Sequence, residues 1–537
     1  MSDRQPIIIM NENSNRTIGR DAQRNNIMAA RIVADTVKTT LGPKGMDKML
    51  VSSTGDIIVT NDGVTILEEM EIEHPAAKMM VEIAKTQEDE VGDGTTTAVM
   101  LAGKLLENAE KLLDSKIHPT VITKGYRLAA EKSQEILRNL AVNVSSSTDA
   151  DTLLRQIAMT AMTGKAAETV KEIFADIIVR AVKQISENEK IDLTNIKIEK
   201  VKGNGIEQTE LIEGIVLDKE RVSADMPAKV ENAKIALIDA ALEIKGPETE
   251  AKISVSSPEQ LQGFIEQEDR LLKKMVAKIK EAGASVVFCQ KGIDEVAQYY
   301  LAKEKIYACR RIAKSDMEKL ARATGGKIVS NLQEITGEQL GNAGIVEEIK
   351  NNEQAMTYVK GCRNPKALTI LIHGGTEHVI AEMERAIKDG LGDVAASIRD
   401  GKIVAGGGAV EIELAKELRK FSQTLGGREQ LAIEEFASSL EFIPLTLAEN
   451  AGLDPIDVLT EMKARHDKGE KYAGLNLFTG KIEDNLKAGI VEPLRIKTQA
   501  INSASEVSMM ILRIDDVIAS SSKQGRMPQG MGGMPDM

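Results

Sequence analysis

The sequence predicts a multidomain α+β protein in which a helical body is interrupted by an inserted α/β segment. The chain has 537 residues, which is too long for one hydrophobic core and typical of about three domains. Helical periodicity dominates both ends of the sequence, whereas short apolar runs alternate with helical ones over residues 216–369. The chain is therefore expected to leave a helical body, form a second unit and return.

Composition narrows the class of protein. Hydrophobic residues make up 42% of the chain and aromatic residues only 2%, with 23 methionines and no tryptophan, so the cores are built from Ala, Val, Ile, Leu and Met, which favours helix packing. The net charge of −13 argues against a nucleic-acid partner, because phosphate binding needs a basic face. No run of 18 apolar residues exists, which argues against a membrane partner, and the N-terminal apolar run is too short for a signal peptide. Three widely spaced cysteines without a CxxC pair argue against disulfides and structural zinc. We expect a cytoplasmic protein.

The first hundred residues predict helices joined by a hairpin. Apolar residues from Ile27 to Val37 repeat at helical spacing, and this helix stops at Gly42 and Pro43. The β-branched run DIIVT, which ends in Asn-Asp-Gly at 61–63, predicts a β-hairpin. A second helix leads into GDG at 92–94, and a third helix opens with three threonines.

Three loops in this region, LGPKG at 41–45, NDG at 61–63 and GDGTTT at 92–97, combine glycine with a carboxylate or hydroxyl run. Such loops suit a magnesium-bound nucleotide triphosphate, because backbone N–H groups and a helix N-terminus attract phosphate oxygens and a carboxylate holds the metal ion. Neither GxxxxGK[ST] nor GxGxxG occurs, so the usual phosphate loops are excluded. Taken singly, each loop also has an ordinary interpretation: a helix stop, a common turn and an N-cap.

Two distant segments are candidates to complete the site. Asp389 is predicted to lie near the C-terminal end of an amphipathic helix, where the helix dipole makes a carboxylate unfavourable; a solvated surface aspartate is the alternative. Three glycines at 406–408 precede another helix and allow a ligand to approach the backbone. His373 and His378 lack further ligands and are interpreted as structural.

The inserted segment could move relative to the rest of the chain. Gly214, on the way out, and Gly374–Gly375, on the way back, are candidate hinges, although the glycines alone favour ordinary turns. The C-terminal segment SSKQGRMPQGMGGMPDM is low in complexity, and residues 521–537 are predicted to be disordered.

Several longer motifs resemble those of the group II chaperonins, the archaeal thermosomes and their eukaryotic cytosolic relatives. KTTLGPKGMDKML, VTNDGVTILEEMEIEHP and QEDEVGDGTTTAV fit family signatures in full, and MTGK, VAGGGAVEIELA, GLNLFTG and VEPLRIKTQAI fit as well. The resemblance covers nearly the whole chain. It implies a chaperonin fold with an equatorial domain at 1–147 and 406–520, an intermediate domain at 148–215 and 370–405, and an apical domain at 216–369 with a helical lid protrusion near 245–280.

The resemblance also implies the function and its partners. It implies an ATP-dependent chaperone that encloses unfolded polypeptides in a double ring, with ATP and Mg²⁺ as cofactors and K⁺ as a further candidate cation. Identical or homologous subunits would form stacked rings of eight, and no separate co-chaperonin would be needed.

Carried over by motif, the resemblance assigns a role to each site residue. Asp93 would hold Mg²⁺, and Asp62 and Asp389 would be catalytic by positioning and activating the attacking water. Lys165 of MTGK would sense the γ-phosphate. The remaining nucleotide-binding residues would be Gly42, Pro43, Gly94, Thr95, Thr96, Thr97, Gly164, Gly407, Gly408, Asn476 and Glu492.

This chain departs from the family pattern next to Asp389. The family usually has alanine after the catalytic aspartate and an apolar residue four places on, whereas this sequence has Gly390 and Asp393. Both substitutions are expected to loosen the helix, and Asp393 adds negative charge.

The lid helix has its own start signal. Ser257, Pro258 and Gln260 form a predicted N-cap, N1 proline and capping box. We expect Leu272 to Ile279 to pack in the apical core. Leu261, Phe264 and Ile265 lie nearer the start of the helix, and we expect them to be exposed and to contact non-native chains or neighbouring lids.

Two other classes of function stay open from the residues alone. One is a metabolic ATP-dependent enzyme such as a kinase, which would need a polar acceptor site in the inserted segment. The other is a structural ring or filament protein with residual ATPase activity. The apolar stripes of the inserted segment favour the chaperone.

Overall fold

The protein is described by a computed structural model that covers residues 14–520, with gaps at 54, 145–149, 166, 168, 188–189, 204, 245–257 and 352–353. The predicted disordered tail at 521–537, Ser257 of the predicted capping box and the first part of the predicted lid segment lie outside the described residues. The side chain of Leu261 also lies outside them.

The described residues form helices and strands that alternate in blocks. The helices are α1 Gly19–Lys38, α2 Gly63–Glu69, α3 Pro75–Val91, α4 Thr95–Asp114, α5 Pro119–Leu140, α6 Ala150–Met162, α7 Lys171–Ile185, α8 Pro258–Glu281, α9 Glu295–Lys303, α10 Lys314–Thr324, α11 Glu377–Asp400, α12 Ala409–Ser422, α13 Glu429–Leu440, α14 Phe442–Asn450, α15 Pro455–Asp467 and α16 Leu494–Leu512. The strands are β1 Ser14–Ile18, β2 Lys48–Val51, β3 Ile57–Thr60, β4 Val142–Asn143, β5 Ile196–Lys202, β6 Glu210–Ile212, β7 Gly214–Leu217, β8 Lys229–Ile238, β9 Val286–Cys289, β10 Tyr307–Cys309, β11 Ile328–Val329, β12 Gly341–Asn351, β13 Gln354–Lys360, β14 Leu368–Gly374, β15 Lys402–Ala405, β16 Ala473–Asn476, β17 Lys481–Asp484, β18 Val491–Pro493 and β19 Asp516–Ser520.

Both ends of the chain build one helical core. Buried apolar residues of 27–140 and 404–512 form a single cluster, in which α4 packs against α1 and α16. The two ends also pair directly, because β1 runs antiparallel to β19 with Ile18 opposite Asp516. A salt bridge of 2.6 Å between Arg16 and Asp516 lies across this pair.

A second core joins the segments on either side of the insertion. Its buried residues come from α6 and α7 on the outward path and from β14 and α11 on the return. Strand β14 lies between β5, to which it is parallel, and β6, to which it is antiparallel. This core links the helical body to the inserted segment.

The inserted segment is a mixed sheet covered on both faces. The strand order is β10-β9-β8-β12-β13-β7, and β11 also pairs with β8. Successive residues of β9 alternate between two apolar clusters, as the period of a strand requires: Val287 packs with α8 and α9, and Phe288 packs with α10. All four residues of β9 are buried, as expected for a strand with helices on both sides.

Most of the elements predicted from the sequence are confirmed. The hairpin is β2 paired with antiparallel β3, and the helices before and after GDG are α3 and α4. Among the described residues, none of the helices has both the length and the apolar character needed to cross a bilayer.

The predicted end of the helix that carries Asp389 is wrong. Helix α11 continues to Asp400, so Asp389 lies in its middle, where the end of the dipole has no influence. The glycines next to Asp389 do not stop or loosen this helix; they let it approach its neighbours. A Cβ on Gly390 would lie 2.8 Å from Ile178 Cδ1, and one on Gly392 would lie 2.7 Å from the Val91 carbonyl oxygen.

Candidate functional site

The three loops selected from the sequence meet around one cavity with a volume of about 220 Å³. Segments that are distant in the chain complete its wall, including the turn after α6, the glycine turn before α12 and the region from β18 into α16. The lining includes the predicted residues Gly42, Pro43, Asp62, Asp93, Gly94, Thr95, Thr96, Thr97, Gly164, Lys165, Gly407, Gly408 and Glu492. The described residues therefore bring 13 of the 15 predicted nucleotide, metal and catalytic residues to one place.

Two predicted residues stand behind the wall instead of lining it. Asp389 reaches the cavity through an ion pair with Lys165, which does line it. Asn476 lies between two lining residues, accepts a 2.9 Å hydrogen bond from the Phe478 backbone N–H and donates to Glu483. In this structure Asn476 therefore shapes the turn that carries the wall.

The start of α4 gives the cavity an anion-attracting end. Gly94 is the N-cap residue of α4, has φ of 80° and provides no side-chain cap, so the first N–H groups of the helix stay available to a ligand. The hydroxyl-bearing residues Thr95 to Thr97 line the same end. Gln87 holds the loop in place with a 2.8 Å hydrogen bond to the Asp93 carbonyl oxygen.

Another part of the cavity wall is a tight contact between the backbones of the Pro43 loop and the Gly164 loop. Gly164 has φ of 79°, and a Cβ built on it would lie 2.4 Å from Pro43 Cα. A backbone atom cannot move away as a flexible side chain can. Glycine at 164 is therefore required for the contact between the loop of Pro43 and the loop that carries Lys165. A 3.2 Å hydrogen bond from Asn61 Nδ2 to the Gly164 carbonyl oxygen adds the third loop.

Replacing Gly164 with alanine is expected to separate these loops. The substitution combines a left-handed φ with a backbone clash, and we expect it to lower nucleotide affinity at least about tenfold and to destabilise the protein by about 1–3 kcal/mol. Isothermal titration with a non-hydrolysable ATP analogue and thermal unfolding would measure the two effects.

The matched control is Gly401→Ala, because Gly401 also has positive φ but has no atom within 4 Å of the added Cβ. It should reproduce the backbone strain and leave nucleotide affinity unchanged. Equal losses of affinity in both variants would contradict the role of the contact between the loops.

Carboxylates outnumber cations around the cavity. Asp62 caps α2 by accepting from the Thr65 backbone N–H at 2.9 Å and from its hydroxyl at 2.6 Å. Asp93 accepts from the Gly94 N–H at 2.7 Å. Lys165 pairs with Asp389, so its charge is already balanced by one carboxylate.

Burial and mutual repulsion shift the pKa values of these groups. Burial raises the pKa of Asp389, an effect that Lys165 opposes and that the charges of Asp93 and Asp62 reinforce. Burial alone would lower the pKa of Lys165, but the surrounding carboxylates, led by Asp389, raise it above its ordinary value. Burial, together with the charges of Asp389, Asp62 and Asp93, raises the pKa of Glu88 to about 8. This excess of negative charge favours the binding of a cation.

Part of the cavity wall is apolar, which the sequence analysis did not predict. Its lining includes Ile443, Leu447, Leu477, Phe478 and Ile490. An apolar slot beside a helix N-terminus suits a ligand with a flat, weakly polar group and a charged tail. The only sequence signal was the GLNLF motif, in which Leu477 and Phe478 directly follow the selected Asn476.

A buried ion triad also contributes to the cavity wall. Lys497 of α16 donates to Glu411 of α12 at 2.9 Å and to Glu492 of β18 at 2.7 Å. Glu492 lines the cavity but uses one carboxylate oxygen for Lys497. Lys497 and Glu411 were missed in the sequence because nothing local distinguishes them from surface charges.

The residues present fit a divalent cation. Among the described residues, no group of three His, Cys, Asp or Glu side chains is placed to hold a metal ion without help. Magnesium is commonly held by one or two carboxylates together with substrate phosphates. Asp93, beside the N-terminus of α4, offers a carboxylate of this kind.

The predicted lid residues lie apart from this cavity. On α8, Phe264 is 42% and Ile265 57% exposed, whereas Leu272, Val276 and Ile279 are buried. The expectation that the first part of the helix is exposed and the later part is core is confirmed for these residues.

Comparisons with known proteins give a consistent result. A family model described as the TCP-1/cpn60 chaperonin family matches residues 33–522. The thermosome subunit beta of Archaeoglobus fulgidus is 59% identical over 538 residues, which cover 99% of this chain and 98% of the relative. The thermosome subunit of Methanopyrus kandleri is 59% identical over 522 residues, 96% of this chain and 95% of the relative. That of Methanocaldococcus jannaschii is 57% identical over 533 residues, 98% of each chain.

Proposed function

The chain belongs to the TCP-1/cpn60 chaperonin family as a group II chaperonin subunit, and from this premise we propose that it is an ATP-driven chaperone. In this proposal it encloses unfolded polypeptides in a double ring whose lid includes α8. The subunits are identical or homologous, eight to a ring, and no separate co-chaperonin is needed. The relatives are named as thermosome subunits, and the chaperone role comes from this membership.

One observation supports the ATP-binding part of the proposal above all others. A single cavity is lined by a helix N-terminus, by carboxylates and by apolar side chains, which is the combination that the phosphates and the base of a nucleotide need. The base and ribose would lie against Leu477, Gly407 and Gly408, and the phosphates would face Gly94 and Thr95 to Thr97.

The chain's own groups suffice for phosphoryl transfer to water, which depends mostly on positioning and charge neutralisation. Asp62 and Asp389 would orient the attacking water, because each carboxylate keeps lone pairs beyond those already used. Lys165, held by Asp389, would face the terminal phosphate. Asp93 would hold Mg²⁺, which when bound neutralises phosphate charge and polarises the transferred group.

ATP hydrolysis would be coupled to closure of the ring through the second core, which α6, α7, β14 and α11 share. Helix α11 carries Asp389 and belongs to that core, and the turn after α6, also in that core, carries Lys165. A change at the terminal phosphate would therefore act on the link to the inserted segment. Near-complete closure needs differential affinity of about 10⁴, roughly 5.5 kcal/mol, which coupled subunits in a ring can supply. Gly214 and Gly374–Gly375 are the hinges in this proposal.

Electron microscopy of the purified protein with and without ATP, beside a phosphate-release assay, tests the proposal. Open double rings that close during turnover are expected, and replacing potassium with sodium salts in the assay tests K⁺. A phosphorylated small molecule would instead indicate a kinase, and rings or filaments that never change shape would indicate a structural protein.

Replacing Phe264 and Ile265 together with serine is expected to impair client capture and closure. Their exposed side chains are the apolar surface that α8 presents near its start. Refolding yield of a denatured test protein should fall several-fold, while basal ATP hydrolysis stays within about twofold because the cavity is distant.

The control is Ile456→Ser on α15, another exposed apolar residue, 73% exposed and outside the inserted segment. It should keep the refolding yield of the unmodified protein. An unchanged yield in the double variant would count against the role of Phe264 and Ile265.

A further inference from the structure

The cavity contains a buried carboxylate that the proposed function leaves without a role. Asp393 lies on α11, one turn after Asp389, lines the cavity and is only 2% exposed. Its Oδ1 has no hydrogen-bond partner among the described residues. A buried polar atom without a partner at the wall of a binding cavity indicates a ligand.

The packing of two glycines brings Asp393 to the same place as Asp93. A Cβ on Gly392 would lie 2.7 Å from the Val91 carbonyl oxygen, and one on Gly92 would lie 3.4 Å from Gly392 Cα. The backbone of α11 therefore touches the end of α3. Asp93 and Asp393 directly follow these two glycines, so both carboxylates enter one cavity from backbones in contact.

The cations that line the cavity are already engaged elsewhere. Lys165 pairs with Asp389, and Lys497 pairs with Glu411 and Glu492. Asp93 uses Oδ1 to accept from the Gly94 N–H.

We propose that Asp93 and Asp393 together form a two-carboxylate site for a divalent cation, which binds before the nucleotide does. The inference rests on the proposed function, since it concerns the metal ion of that site. Two carboxylates with water suit Mg²⁺ and Mn²⁺. Because group II chaperonins usually have an apolar residue at the position of Asp393, the second ligand would distinguish this chain.

Titration of the nucleotide-free protein with Mn²⁺, followed by the electron paramagnetic resonance signal of the free ion, tests the proposal. The unmodified protein should bind one strongly held Mn²⁺ per chain, and Asp393→Asn and Asp93→Asn should each weaken it at least about tenfold. Asp400→Asn at the end of α11 is the control and should change nothing. Unchanged affinity in Asp393→Asn, or no such Mn²⁺ in the unmodified protein, would overturn the proposal.

A second measurement needs no variant. Fe²⁺ bound in place of Mg²⁺ cleaves nearby backbone when ascorbate and hydrogen peroxide are added. Cuts are expected around both residue 93 and residue 393, and cuts near residue 93 alone would overturn the proposal.

Binding of a non-hydrolysable ATP analogue with Mg²⁺ distinguishes a failure of this inference from a failure of the proposed function. If Asp393→Asn still binds the analogue and its Mn²⁺ affinity is unchanged, only this inference is refuted. If the unmodified protein does not bind the analogue, the proposed function is refuted.

Discussion

Replacing Asp389 with asparagine is expected to lower kcat for ATP hydrolysis by about 10²–10⁴-fold while nucleotide affinity stays within a few-fold. The asparagine keeps the shape of the side chain but cannot accept a proton from the attacking water. The cavity lining is unchanged because Asp389 stands behind Lys165. Phosphate release and titration with a non-hydrolysable ATP analogue measure the two quantities.

The same substitution removes the partner of a buried lysine, so its structural effect has to be separated from its chemical effect. Losing the partner of Lys165 is expected to cost about 3 kcal/mol, and Lys165→Met in the same chain should restore most of the unfolding midpoint without restoring turnover. Recovery of activity together with stability would reduce Asp389 to a structural role. Hydrolysis at the unmodified rate in Asp389→Asn would refute its role outright.

Replacing Lys497 with methionine is expected to destabilise the protein by about 3–5 kcal/mol, because Glu411 and Glu492 would lose the cation that balances both. The triad joins α12 to β18 and α16, which lie about eighty residues further along the chain. We expect the thermal unfolding midpoint, measured without nucleotide, to fall by about 3–4 °C.

Two comparisons isolate the cause. Converting Glu411 and Glu492 to glutamine in the Lys497→Met chain removes the buried charges and should recover most of the midpoint. Lys487→Met is the matched surface control, since Lys487 is 86% exposed in its pair with Asp484, and it should cost less than about 1 kcal/mol. A loss of similar size in this control would contradict the argument from burial.

The loss of thermal stability in Lys497→Met should increase as the pH rises. Burial raises the pKa of Glu492, with Lys497 opposing the shift and Glu411 reinforcing it. A carboxyl whose pKa is higher in the folded state contributes stability that is lost as the pH rises through that pKa. Without Lys497 the shift is larger, so the difference in midpoint between variant and unmodified protein should grow from pH 5 to pH 8. A constant difference would contradict this account.

The sequence predicted the parts of the fold that local patterns encode. The alternation of helical and β-branched runs marked the inserted segment, and glycine with proline or aspartate marked the turns that end α1 and α3. These signals are local because helix stops and tight turns are decided within a few residues. The same loops carried most of the candidate site.

Tertiary contacts decided what the sequence analysis missed or got wrong. Gly390 was expected to loosen the helix, yet α11 runs through both Gly390 and Gly392. Each of these glycines meets a neighbour too closely for a Cβ. The apolar wall at Ile443 and Ile490 joins residues about fifty positions apart, which no periodicity reveals. Lys497 looks like any surface lysine until β18 and α12 bury it.

The pairing of β1 with β19, and the core shared by residues 27–140 and 404–512, bear on how the protein is made. A ribosome releases the chain from its N-terminus, so the early helices emerge several hundred residues before their partners in α12 to α16. The inserted sheet, whose strands lie between residues 214 and 360, is complete long before then. The wall of the cavity includes Lys497, so it closes only after residue 497 has left the ribosome, and a shorter nascent chain has no formed cavity.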